Sequence, residues 1–236
     1  MVGVWGEPKF FTVLDFFSAS YFTVPVLLGL NLFFIVVSLM NFRKIRELRI
    51  LLLYALIAFL QHLLYIYVNV FEDQRAESAG GGSFLNLFML IELVLFYRFI
   101  GASLRSGTAK AFLKILMPAF VLVTLGSWQF SGSFPDAVAR LSVIESYLII
   151  LPVLFYYYEL LHHPPLQNIM SDPRFWSLTG MLFLFILIMP LFFQNGIPLV
   201  ADKPVRRLHT LNCIGYIILF LFFINALRCQ LRAPNT

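Results

Sequence analysis

Glu92 and Glu145 each stand near the middle of an apolar stretch long enough to cross a membrane, and each sits in the same string, Ile-Glu-x-x-Leu. An ionisable group at mid-bilayer costs roughly 2.5–3.5 kcal/mol on insertion scales, so such residues face a bundle interior or a water-filled cavity. Counted from one end of their stretches, Glu92 is about eight residues deep, Glu145 about seven and His62 about eight, or about 10–12 Å below a common boundary at helical rise. The last apolar stretch adds His209, Asn212, Cys213 and Tyr216, whose spacing of three and four puts them on one helical stripe. Gln61, next to His62, shares a stripe with Tyr54.

Three chemistries suit this set. The carboxylates and histidines could hydrogen-bond neighbouring helices and fix their packing, a contribution that averages about 0.6 kcal/mol per side chain. They could line a ligand-binding or proton-sensitive pocket of a receptor or transporter. They could also form a catalytic or metal site, for which His62, His209 and Cys213 are candidate ligands by residue type. No His-x-x-x-His pair and no His-Glu-x-x-His string occurs, and the paired last-helix histidines of the alkaline ceramidase and adiponectin receptor group are missing. A retinal Schiff base needs a lysine within the bundle, yet all five lysines fall in loops or at span ends. The resulting expectation is a polar pocket of Glu92, Glu145, His62, Asn212, His209, Gln61 and Tyr216, with no catalytic residue, no bound metal and no cofactor.

The elements that must hold these residues are helices in a bilayer. Of 236 residues, 60% are hydrophobic and 12% charged, against about 25% charged in a soluble domain. With about 20 apolar residues needed per span, the chain has room for seven helices and short loops. The runs are Phe22 to Met40, Ile50 to Val70, Phe84 to Ile100, Ala111 to about Leu125, Val138 to Tyr158, Phe175 to Phe193 and Leu208 to Leu227. This predicts an all-α polytopic membrane protein, a seven-transmembrane-helix bundle over residues 22–228. An interfacial segment, 1–21, precedes it, and a short tail, 229–236, follows. The N-terminus lacks the basic region and small-residue cleavage site of a signal peptide, so the first span is expected to be retained. Gly80, Gly81 and Gly82 mark the loop before the third span.

Orientation follows from the basic residues, because Lys and Arg near span ends are retained on the cytoplasmic side. Arg43, Lys44, Arg46, Arg49, Arg98, Arg105, Lys110, Lys114, Arg174, Arg228 and Arg232 fall on one side. Lys9, Arg75, Arg140, Lys203, Arg206 and Arg207 fall on the other. Eleven against six predicts an outside N-terminus and a cytoplasmic C-terminus, although Arg206 and Arg207 run against the trend. The same distribution accounts for the net charge of +5 without nucleic acid as a partner. Prolines 25, 118, 152 and 190 fall inside spans, where neighbours must re-satisfy the freed carbonyls. Pro152 would bend span five beside Glu145. Tyr156 to Tyr158 and Trp176 read as interfacial belts, and His162 with His163 as a cytoplasmic loop. Cys213 and Cys229 are about 24 Å apart along one helix, beyond disulfide reach.

Ile91-Glu92-Leu93 in the third span, Arg174-Phe175-Trp176 opening the sixth and the His209 to Asn212 segment opening the seventh together resemble a family of stand-alone seven-helix bacterial membrane proteins. The resemblance implies a location in the bacterial inner membrane and an association with two-component signalling, and it carries over no catalytic residue. The expected function is that of a receptor-like or sensory module in the lipid bilayer, taking a small-molecule ligand or a proton and acting on a cytoplasmic signalling protein. The alternative is a small transporter or a membrane-embedded enzyme acting on a lipid or other small molecule.

Overall fold

The computed structural model describes residues 23–71, 81–130, 134–164, 168–195 and 203–232. These form seven α-helices and no strand: α1 (Thr23–Met40), α2 (Arg49–Phe71), α3 (Gly81–Ser103), α4 (Gly107–Phe130), α5 (Phe134–His162), α6 (Pro173–Asn195) and α7 (Lys203–Arg232). Each apolar run of the sequence lies within or overlaps one of them. The expected segment 1–21 lies outside the described residues.

Five helical stretches among the described residues are long and apolar enough to cross a membrane: Thr23–Met40, Arg46–Leu64, Gly107–Thr124, Leu141–His162 and Leu211–Arg232. Their outward faces carry large apolar side chains, among them Phe33, Leu60, Ile115, Leu122, Leu151 and Leu221. So continuous an apolar exterior would not persist in water. Lipid is the solvent it fits, and the chain is membrane-embedded.

Helices adjacent in sequence pack together, α1 also meets α7, and α3 also meets α5. The result is a closed circuit of α1, α2, α3, α5, α6 and α7, with α4 fastened to the outside of α3 and α5. Phe112 and Ile115 of α4 are 61% and 72% exposed, as expected of a helix with only one packed side. Inside the circuit, Phe34 of α1, Tyr54 of α2, Phe96 of α3, Phe185 of α6 and Phe220 and Phe223 of α7 form a continuous aromatic core, with ring centroids 4.5–6.5 Å apart. Such offset and edge-on pairs stabilise the core beyond simple area burial. Between α6 and α7 the backbones approach closely. A Cβ on Gly180 would sit 2.7 Å from that of Phe222, so only glycine fits there.

Several local expectations change. Gly81 and Gly82 begin α3 rather than standing in a loop. His162 is the last residue of α5, with Nδ1 2.9 Å from the Tyr158 carbonyl. Of the three tyrosines read as an interfacial belt, Tyr158 is exposed, but Tyr156 is buried, because residues 156 and 158 lie on different faces of one helix. Arg206 and Arg207 fall inside the first turns of α7.

Candidate functional site

The pairing of α3 with α5 sets the level of the two carboxylates. Ser142 Oγ donates to Met89 Sδ at 3.3 Å, and Tyr97 Oη donates to the Leu148 carbonyl at 3.0 Å. Further along, the backbone N–H of Arg105 donates to Glu159 Oε2 at 2.7 Å. Sequence separations across these contacts are 53, 51 and 54, so the helices run parallel with a nearly constant offset. Glu92 and Glu145 share that offset and therefore lie at one level. Pro152 explains the middle contact: it has no N–H to give the carbonyl four residues back, and Tyr97 supplies the donor instead.

Glu92 is buried and accepts two phenolic hydrogen bonds. Tyr54 of α2 donates to Oε1 at 2.8 Å, and Tyr216 of α7 donates to Oε2 at 3.5 Å. One carboxylate thus joins three helices. Glu145 is buried beside it, close enough for the two carboxyls to feel one another's charge, and its field also reaches Tyr54 and Tyr216. Among the described residues, its Oε1 has no hydrogen-bond partner. Leaving a buried polar atom unsatisfied costs about 1–3 kcal/mol, so packing alone gives no reason for a carboxyl at this position.

His62 reaches the group indirectly. Its ring meets that of Tyr216 edge-on at 5.5 Å, and Nδ1 lies 2.6 Å from the Ala58 carbonyl of its own helix. Gln61 and Asn212 are half-buried, and neither is a hydrogen-bond partner of Glu92. The side chain of His209 lies outside the described residues. Cys213 is buried with its thiol toward Thr23 of α1, and neither cysteine forms a disulfide among the described residues. Among the described residues, no three His, Cys, Asp or Glu side chains gather as a metal site.

Tyr54 is the closest partner of Glu92, a role that depth counting misses. Its Cα lies nearer the basic end than that of His62, and the length of the phenol closes the gap. The signal in the sequence is a tyrosine on the same stripe as Gln61. Glu159 is a third buried carboxylate, just past the Tyr158 boundary of the fifth apolar run. Its oxygens accept from the backbone N–H groups of Arg105 (2.7 Å) and Ser106 (2.8 Å), while Arg105 Nη1 donates back to the His163 carbonyl at 3.0 Å. Each helix end caps the other: the carboxylate sits where the α4 dipole is positive and the guanidinium where the α5 dipole is negative. Glu159 lies about four turns beyond Glu145, on the same face of α5. No protein-family model, curated protein or solved structure matches this chain.

Proposed function

We propose that this chain is a receptor-like sensory membrane module in which the Glu92 and Glu145 pair is the responsive element. The observation that carries the reading is the Glu145 oxygen, buried without a partner among the described residues, against a second carboxyl that already ties α2, α3 and α7 together. An ionised Glu92 accepts from both phenols. A protonated Glu92 has a donor of its own to place and fewer acceptor sites to offer. A proton or a small polar ligand arriving at Glu145 would therefore change which helices Glu92 holds, and helix packing is the element that reads out the change.

Seven spans, with the N-terminus outside and the C-terminus in the cytoplasm, are the topology that accompanies this reading, on the strength of the eleven-to-six basic bias. Residence in the bacterial inner membrane rests on the family resemblance. The basic helix ends would then meet a cytoplasmic signalling partner.

The test is the separation of α2 and α7, read by fluorescent labels at exposed Leu60 and Leu221 in nanodiscs during a pH titration. The expected result is a separation that changes with pH in the wild type and is fixed in Glu92→Gln. A wild-type separation that never moves, with pH or with candidate ligands, would sink the sensory reading. Crosslinking followed by co-purification tests the partner, and repeated recovery of the chain alone would count against signalling.

A further inference from the structure

At the basic end of the bundle, away from the carboxylate pair, α2, α3 and α6 leave an open cleft of about 330 Å³. Ile50, Phe99 and Ala102 supply its apolar lining, and Arg46, Glu47 and Arg174 its charged lining. Ser103 and Arg174 also line a smaller cavity of about 40 Å³ behind it, together with Arg105, Tyr156, Glu159 and Asp172. Charges here are balanced in number but not in commitment. Glu159 is taken by two backbone N–H groups, and Asp172 Oδ1 accepts from the backbone N–H of Arg174 at 2.9 Å. Glu47 accepts from Arg174 Nη2 at 2.8 Å and Nε at 3.1 Å. Among the described residues, Arg46 makes no ion pair, and the Tyr156 hydroxyl at the inner end is buried without a hydrogen-bond partner.

We infer that this cleft binds the phosphate group of an anionic phospholipid, with Arg46 as the principal contact and Arg174 beside it. Guanidinium groups match phosphate oxygens with a planar fork of donors. The apolar lining selects the lipid over a free phosphate ester, because a soluble anion gains nothing from Ile50 and Ala102, whereas the first acyl carbons of a lipid do. Position agrees, since the cleft opens where apolar helices end and Arg43, Lys44 and Arg49 gather. Basic pockets between helix ends are the places where anionic head groups are held. Glu47 would act as a brake on binding, because it occupies the Arg174 fork that a phosphate would otherwise share.

The test is lipid retention by native mass spectrometry of protein extracted from nanodiscs of phosphatidylcholine mixed with phosphatidylglycerol. Phosphatidylglycerol should be kept in preference to phosphatidylcholine. Arg46→Gln should lower its retention about fivefold, the effect of one basic residue near a lipid surface, and Arg46→Lys, which keeps the charge but loses the fork, should restore only part of it. Glu47→Gln should raise retention, an opposite sign that general damage to the fold could not produce. Equal retention of the two lipids, or retention indifferent to Arg46→Gln, would overturn the proposal. A fall in Glu47→Gln would overturn direct coordination by the arginines. Binding of inorganic phosphate in lipid-free micelles, dependent on Arg46 and without any lipid preference, would replace the lipid by a soluble ligand and so refute the assignment.

Discussion

Two buried acidic regions lie on one face of α5, and they solve the same problem in different ways. Glu145 is 3% exposed and Glu159 7%, so burial does not distinguish them. Glu159 is fully employed: both oxygens accept backbone N–H groups at the start of α4, and its own helix end is held by Arg105 in return. Glu145 faces Glu92, and its Oε1 is left unsatisfied. Position along a helix decides the difference. A helix end offers free N–H groups, whereas mid-helix backbone is already bonded to itself, so a carboxyl there depends on side chains from other helices. Glu92 finds two such side chains, and Glu145 has none for Oε1. A buried carboxylate is therefore informative about function only after its partners are known, and by that standard Glu159 and Glu92 are both employed in holding helices together, whereas Glu145 Oε1 has no such employment among the described residues.

The contrast can be broken most sharply at Glu159. Replacing it with Ala strips two N–H groups of a charged acceptor and should cost about 3 kcal/mol, measured by reversible unfolding in detergent micelles. A loss below about 0.5 kcal/mol, typical of an unconstrained surface position, would show that the cap is dispensable. Next in size is Tyr54→Phe, which removes the shorter hydrogen bond to Glu92 and should cost about 2 kcal/mol in the same assay. Its pH-dependent packing signal should also weaken, which Glu159→Ala should not cause.

Tyr97→Phe should cost about 1 kcal/mol by leaving the Leu148 carbonyl without its donor. In a Pro152→Ala background the cost should shrink, because alanine restores the N–H within α5, and a double-mutant cycle measures that coupling. Strict additivity would remove Tyr97 as the residue that repairs the proline site. The smallest expected change in stability is for Glu145→Leu, which deletes an unsatisfied oxygen and should leave stability within about 0.5 kcal/mol of wild type or higher. If instead it destabilises as much as Glu159→Ala, Glu145 is packing glue and the proposed responsive pair disappears.

Much of the helical layout was legible because it depends on local pattern. Apolar runs of spanning length announce helices, and Pro, Gly and charged clusters interrupt them. Even so, ends moved: α5 extends from Phe134 to His162, and at its C-terminal end it outruns the apolar run because Arg105 caps the last turn and hydropathy does not detect a cap. Glycines 81 and 82 misled in the other direction, since a first helical turn tolerates glycine where a helix interior resists it.

By itself, the sequence determined that this is a helical membrane protein, that Glu92 and Glu145 lie at one depth, and that Tyr216 stands on a stripe with Cys213 and Asn212. Depth is one coordinate along a helix, and rise per residue is fixed. Only the tertiary structure decided lateral order: α4 outside the circuit, Tyr54 rather than His62 on Glu92, and Glu159 across from Ser106. Lipid tails are as apolar as the side chains they touch, so hydropathy cannot rank one helix face over another. The choice of neighbours falls to close packing, as at Gly180 against Phe222, and to the few polar groups that must find partners inside the bundle.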